Sequence, residues 1–397
     1  MRIESIRLKN YKVFQDVYIK DIPELCLIVG ANGSGKSTLF DVFSFLRDCL
    51  FSNVSQALDA RGRFNEVVSR GHETETILIE IQYQMPLSGA DRYVTYSLEI
   101  DQENGRPVVR RELLSCKRTD SSSDSLIHLL DFNNGSGYAI NDETLNMSEE
   151  ELHRENLTID SPDILAIKGI GQFQRFKAAT VFRQMIESWH VSNFSVDNAL
   201  GRNEFIGNVE HLSSSGDNLS RVAFYLMRNY PEIFNKIVEQ LRKCVPGLEK
   251  VTVALMPDGY LSMSFHDGSV KTPFLGRSVS DGTIKMLAYL ILVYDPKPHP
   301  LLCVEEPENM LYFKLMTELA EEFRLYANRG GQVFVSTHSP DFLNAVELDE
   351  VFWLVKKDGF TTIRRAKDDP QITAYMADGD KMGYLWKQGF FAGADPQ

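Results

Sequence analysis

Residues 30–38 read Gly30-Ala31-Asn32-Gly33-Ser34-Gly35-Lys36-Ser37-Thr38. The stretch matches G-x-x-x-x-G-K-S without a mismatch, and its flanks agree with it. Leu25 to Val29, just before it, is a continuous apolar run, as expected of a buried central strand. Leu39, Phe40, Phe43 and Leu46, just after it, recur at helical spacing. A strand, a glycine-rich turn and a helix in this order suit the cradling of phosphate. Glycines let the backbone curl with its N–H groups inward, and the helix N-terminus adds a positive dipole. In this reading Lys36 reaches the β- and γ-phosphates and the Ser37 hydroxyl ligates Mg²⁺.

Such a loop needs an acidic partner at the end of another strand. Leu301-Leu302-Cys303-Val304 followed by Glu305-Glu306-Pro307-Glu308 supplies one. Glu305 is expected to hold Mg²⁺, directly or through water, and Glu306 to polarise an attacking water. A further apolar strand, Gln332 to Val335, runs into Ser336-Thr337-His338-Ser339-Pro340. His338 then stands at a carboxyl-terminal strand edge, where open α/β sheets bind ligands, and can bond a γ-phosphate or the water. Ser280-Asp281-Gly282-Thr283 precedes an apolar helix; Ser280 suits its N-cap and Gly282 permits close backbone approach. Each piece also has a plainer reading: a solvated acidic turn, a loop histidine satisfied by backbone, an ordinary N-cap.

Composition limits the function classes. The 397 residues carry a formal charge of −13, with 43% hydrophobic and 24% charged residues, close to globular averages. The acidity argues against electrostatic coating of nucleic acid but leaves room for a local basic track. Arg61, Arg63 and Arg70, with Arg110 and Arg111, are the candidates for DNA or RNA contact. Cys26, Cys49, Cys116, Cys244 and Cys303 form no C-x-x-C and read as reduced thiols. Met1-Arg2-Ile3-Glu4 opens no apolar segment, and Ile284 to Tyr294 falls short of a membrane span. A cytoplasmic chain without membrane contact is expected.

Along the chain, Arg2 to Leu8 and Val13 to Ile19 read as strands, residues 52–75 as a loop with a short helix, and Ile77 to Met85 with Tyr93 to Ile100 as antiparallel strands. Residues 119–163, rich in Ser, Asp, Asn and Glu, read as a flexible insertion. Helices are expected at 164–189, 219–229, 231–244, 282–293 and 313–328, and a final hairpin turns at Asp358-Gly359. The expected divisions are an N-terminal lobe (1–118), an insertion and helical lobe (119–247) and a C-terminal lobe (248–397). No heptad pattern persists, so no long coiled coil is expected.

Together with Asn10-Tyr11-Lys12 and Phe14 near the start, these pieces in this order resemble the ABC-type ATPases, and within them the RecF/SMC-like AAA_21 group. The resemblance covers roughly residues 1–50 and 250–365. It implies an α/β fold: an ABC-type P-loop NTPase head with a mixed sheet, an antiparallel β subdomain and a helical insertion. It implies ATP with Mg²⁺, hydrolysed by Glu306, His338 and Lys36, in a homodimer that closes on two nucleotides. Gly30, Ala31, Asn32, Gly33, Ser34, Gly35, Lys36, Ser37, Thr38 and Lys12 would contact nucleotide in one protomer, Ser280 and Gly282 in the other, with Ser37 and Glu305 on the metal. Asn309 would lie in the loop communicating between sites, and Gln172 or Gln174 in the loop joining the lobes. Met310-Leu311-Tyr312-Phe313 stands where the family usually has a histidine, and Glu305 where Asp is commoner. Stand-alone members of the group often control a separate effector, a nuclease or toxin, in anti-phage defence. The alternative is a RecF-like DNA-repair ATPase. About 60 residues follow His338; with Asp368, Asp369, Asp378 and Asp380 but no α/β pattern, they are too few for a Toprim nuclease. A transporter ATPase would carry L-S-G-G-Q where Ser280-Asp281-Gly282-Thr283 stands.

Overall fold

The computed structural model of the chain describes residues 2–87, 90–117, 126–141, 152–201, 203–204 and 209–394. The chain forms two compact units. One comprises 1–189 with 348–379 and 388–397, the other 190–347 with 380–387.

The first unit is built on an eight-stranded antiparallel sheet in the order Phe14–Ile19, Arg2–Tyr11, Ile77–Leu87, Ala90–Glu103, Arg106–Lys117, Leu126–Asn133, Ser136–Ile140, Arg154–Thr158. Alternation sets its faces: Ile77, Ile79, Ile81, Tyr83 and Met85 are buried in turn, and a one-residue slip would turn all of them outward. Ile81 pairs with Tyr96 across the ladder. Tyr83 and Tyr96 both meet the Phe182 ring at 4.6 Å, so the helix Lys177–Glu187 covers this face. The same unit holds Leu25–Gly30, buried throughout, parallel to Val351–Lys357 with Leu27 opposite Val351 and Gly30 opposite Leu354. Val351–Lys357 pairs antiparallel with Phe360–Arg365 around Asp358 and Gly359, both at positive φ, as a two-residue hairpin requires.

The second unit centres on three parallel strands, His190–Ser192, Leu301–Glu305 and Gln332–Thr337, with Val191 opposite Cys303 and Cys303 opposite Phe334. A small antiparallel group pairs Leu248–Leu255 with Tyr260–Asp267. The helix Asp281–Val293 is buried at every position from Thr283 onward, which is why it reads as apolar all round rather than striped.

One expectation needs correction. Leu126–Asn133, Ser136–Ile140 and Arg154–Thr158 are strands that extend the large sheet, not a flexible insertion; 119–125 and 142–151 of that stretch lie outside the described residues. Cys26, Cys49, Cys116 and Cys303 are buried and none of the five cysteines is in a disulfide, with burial raising the thiol pKa of Cys26 and Cys49. Among the described residues, no helix is long and apolar enough to cross a membrane.

Candidate functional site

In the first unit, Leu25–Gly30 delivers its chain end into the glycine loop, and the helix Lys36–Phe51 begins directly after it. Gly33 and Gly35 sit at φ 75° and 106°, a region open to glycine and costly for other residues. Gly35 is also the helix N-cap, and a Cβ there would come within 2.8 Å of Val13 Cγ2. Lys36 is buried, and its ammonium arches back over the loop to Gly30 O (2.9 Å) and Ala31 O (3.1 Å). Thr361 Oγ1 donates to Ser34 O at 2.7 Å, pinning the loop to the hairpin. The buried Ser34 hydroxyl has no hydrogen-bond partner among the described residues, while Ser37, at the helix head, is exposed. A glycine-shaped loop at a 16-residue helix N-terminus, carrying an ammonium, an unmatched hydroxyl and an exposed one, fits a nucleotide phosphate with its metal.

Lys12 lies beside this helix. Its Nζ is 2.6 Å from Asp41 Oδ2, which also accepts from the Tyr11 hydroxyl at 2.8 Å; Arg61 Nε holds Oδ1 at 2.7 Å. Burial alone would raise the Asp41 carboxyl, but Arg61, Lys12 and Tyr11 together hold it below its ordinary value. Lys12 is thus tied to the loop's own helix.

In the second unit, Glu305 ends its strand opposite Ser336. Glu306 follows at φ 42°, its N–H donating to Ser336 O at 2.9 Å. Its carboxylate accepts from Asn309 Nδ2 at 2.9 Å, and its Oε1 lies 3.1 Å from His338 Nε2, close but not aligned as a hydrogen bond. Glu308 turns the other way: Oε1 accepts from the Thr337 hydroxyl and from the His338 N–H, each at 2.7 Å. Glu306, Asn309 and His338 therefore gather at the carboxyl ends of two parallel strands, with Glu308 bracing the backbone beneath.

Ser280 caps the helix Asp281–Val293, its hydroxyl accepting from Thr283 N at 3.3 Å. A Cβ on Gly282 would fall 2.5 Å from Met310 O, so its close approach is to the turn after the acidic residues of its own chain. Lys285, on the same helix, is the residue that motif reading missed. Its buried ammonium donates to Asn309 O at 2.8 Å and Glu306 O at 3.3 Å. Burial lowers its pKa, opposed by the charges of Glu308 and Glu306. A lone lysine in an apolar helix was the available signal. Met310, Tyr312 and Phe313 stand exposed just beyond.

Gln172 and Gln174 are exposed between the helices Ala166–Ile170 and Lys177–Glu187, and Gln172 donates to Lys168 O within its own turn. The proposed basic track is largely neutralised. Arg61 is held by Asp41 and Asp48, Arg70 by Glu66, Arg110 by Asp101 and Arg111 by Asp131, while Arg63 lies 4.0 Å from Asp59.

Residues 25–344 match the family model described as "AAA domain, putative AbiEii toxin, Type IV TA system". No curated protein matches the chain. Among solved structures, an SMC head bound to the C-terminal winged-helix domain of ScpA aligns over 92% of this chain and 98% of its own, at 16% identity and TM-score 0.54. The SMC head with an extended coiled coil from Pyrococcus furiosus, bound to the C-terminal domain of ScpA, aligns over 94% and 99%, at 14% identity and TM-score 0.51. The fold is that of an ABC-type ATPase head.

Proposed function

We propose, from the premise that the chain belongs to this AAA domain family, that it binds and hydrolyses ATP as an ABC-type ATPase, dimerises around the nucleotide and controls a separate effector. The observation that carries the reading is the loop Gly30–Thr38, with its left-handed glycines, arched lysine and helix head. Bound Mg²⁺-ATP supplies the electrophilic phosphorus and its neutralising metal. Lys36 would meet phosphate oxygens, and Ser37 and Glu305 are the residues that would hold the metal. Glu306 orients the attacking water and takes up its proton, with Asn309 and His338 fixing the carboxylate on either side.

Dimerisation is supported by the exposed Met310, Tyr312 and Phe313 beside the acidic turn and by Ser280 at the head of a long buried helix. Ser280 and Gly282 would then face the partner's nucleotide. The family description, "putative AbiEii toxin, Type IV TA system", supports a role in a toxin–antitoxin system; the separate effector, a nuclease or toxin in anti-phage defence, rests on the resemblance alone. A cytoplasmic location follows from the same reading. A DNA-contacting role gains nothing from arginines that already face carboxylates.

Two variants test the proposal. Lys36→Ala abolishes ATP binding or hydrolysis; unchanged phosphate release would remove the phosphate-loop assignment. Glu306→Gln keeps ATP binding, slows hydrolysis by about 10²–10⁴-fold and accumulates closed dimers on size-exclusion chromatography. Hydrolysis at the wild-type rate would show that another group activates the water. Affinity purification from the native host identifies the effector.

A further inference from the structure

At the other end of the strand Leu301–Glu305 from its carboxylates, two of the chain's eight histidines gather around a buried aspartate and a third lies beside one of them. Asp295 and His299 lie in Tyr294-Asp295-Pro296-Lys297-Pro298-His299-Pro300, which joins the helix Asp281–Val293 to the strand. His211 comes from the segment ahead of the helix Leu219–Asn229, and His190 opens the neighbouring strand. One ligand atom from each of His211, Asp295 and His299 lies within 4.8 Å of the other two. The His299 ring stands between the other imidazoles, 5.0 Å from the His190 ring and 5.0 Å from that of His211.

We infer that His211, Asp295 and His299 form a site for one divalent transition-metal ion of the zinc class, distinct from the nucleotide's Mg²⁺. Two imidazoles and a carboxylate are the donor set that zinc and its neighbours prefer and that Mg²⁺ and Ca²⁺ do not. Tetrahedral zinc with bonds of about 2.0–2.1 Å separates its ligands by about 3.3 Å, which modest rotamer changes reach from the observed spacing. Three protein ligands leave a fourth position for water.

Three features set this cluster apart from a simple His–Asp hydrogen bond. First, the carboxylate is 4% exposed, so its charge needs a cation at hand. His211 Nδ1, 2.7 Å from Asp295 Oδ2, supplies one only when protonated. Lys297, two residues after Asp295, directs its ammonium to Glu210 instead, at 2.8 Å. Second, the His299 ring lies 5.0 Å from each neighbouring imidazole, tilted by 35° and 52°, and neutral imidazole is the commonest metal ligand. Third, the ligands are already braced, two through their backbone and one through its carboxylate. Asn218 Nδ2 donates to His211 O at 2.9 Å, Tyr326 OH to His299 O at 2.9 Å and Lys297 N to Asp295 Oδ1 at 2.8 Å. Prolines at 296, 298 and 300 stiffen the segment, which reduces the entropy lost on coordination. The ion would staple the His211 segment to the loop that feeds the acidic strand.

The test uses the full chain, stripped with chelator and free of nucleotide. Co²⁺ titration followed by visible absorption should show tetrahedral d–d bands saturating at one equivalent per chain. Zn²⁺ should abolish them and raise the thermal midpoint, and millimolar Mg²⁺ should not. His211→Gln and His299→Gln should each weaken binding by more than about 100-fold, while His338→Gln leaves it unchanged. Absence of a one-to-one band in the wild-type chain overturns the inference and leaves a proton-linked His–Asp pair. So does a band lost in His338→Gln but kept in His211→Gln, which would place the ion at the acidic turn.

Discussion

Lys285→Met isolates the contribution of one buried ammonium to the acidic turn. The substitution keeps the length and apolar stem of the side chain and removes two donated hydrogen bonds, to Asn309 O at 2.8 Å and Glu306 O at 3.3 Å. Hydrogen bonds from a charged donor contribute about 1.5–3 kcal/mol each, and only the shorter one has full-strength geometry. Burial already lowers the lysine pKa, so losing the charge returns part of that desolvation cost. The net destabilisation should be about 1–3 kcal/mol, or a few degrees in thermal midpoint at about 2–4 °C per kcal/mol. The larger effect concerns catalysis. Glu306 occupies a left-handed conformation that its neighbours must enforce, and a misplacement near 1 Å can lower a rate by about 10²-fold. Turnover should therefore fall by about 10–100-fold, while ATP affinity, which rests on the loop Gly30–Thr38, holds. Phosphate release and equilibrium nucleotide binding, measured on the same sample as circular-dichroism melting, separate the two effects. A lowered melting point with unchanged turnover would refute the positioning role and leave Lys285 a packing residue.

Two further outcomes follow from buried charges in the first unit. Burial pushes the Glu112 carboxyl up to about 7, against the opposing pull of the Ile167 and Ala166 N–H groups and the Tyr96 hydroxyl. A folded-state pKa above the unfolded value gives stability that is full below about pH 4.5 and fades as pH rises through 7, by about 3 kcal/mol in all; urea midpoints across that window should show the decline and Glu112→Gln should flatten it. Asp41→Asn leaves Arg61, whose side chain is 9% exposed, with Asp48 at 2.8 Å as its carboxylate partner beside the Ala57 carbonyl at 2.9 Å. It should cost about 2–3 kcal/mol, less than the ~3–5 of a fully orphaned buried charge, and an unshifted denaturation midpoint would contradict the pairing.

The motif-bearing ends of the chain were legible because short, continuous apolar runs lead straight into chemistry-bearing turns. Leu25–Gly30, Leu301–Glu305 and Gln332–Thr337 are buried strands whose last residues carry the motif, so strand and site announce each other. The Asp358-Gly359 hairpin was legible for a different reason, since its turn chemistry demands positive φ at both positions. Asn134-Gly135 carries the same signal and joins Leu126–Asn133 to Ser136–Ile140 with φ 48° and 78°. It is masked because the surrounding Ser, Asp and Asn residues lower the mean hydropathy of a stretch in which Ile127, Leu129, Leu130 and Phe132 are buried and the alternation slips by one residue at Leu129-Leu130. Composition averages over both faces of a strand, and the turn dipeptide was the better guide.

The sequence reading assigns Glu305 to the metal and Glu306 to the water but leaves Glu308 without a role, because carboxylates within four residues are chemically alike until their neighbours are known. Glu308 is committed downward, to the Thr337 hydroxyl and the His338 N–H, and so fixes the strand end that presents the histidine ring. Glu306 keeps its carboxylate between Asn309 and that ring, on a backbone held from below by Lys285. The brace and the carboxylate proposed to orient water are thus different residues on one turn. Gly282 packs against the same turn at Met310, so the helix headed by Ser280 touches the acidic residues' backbone through both its first turn and its buried lysine. A displacement of that helix would carry Asn309 and Glu306 with it through the Lys285 hydrogen bonds, a coupling that lies within one chain.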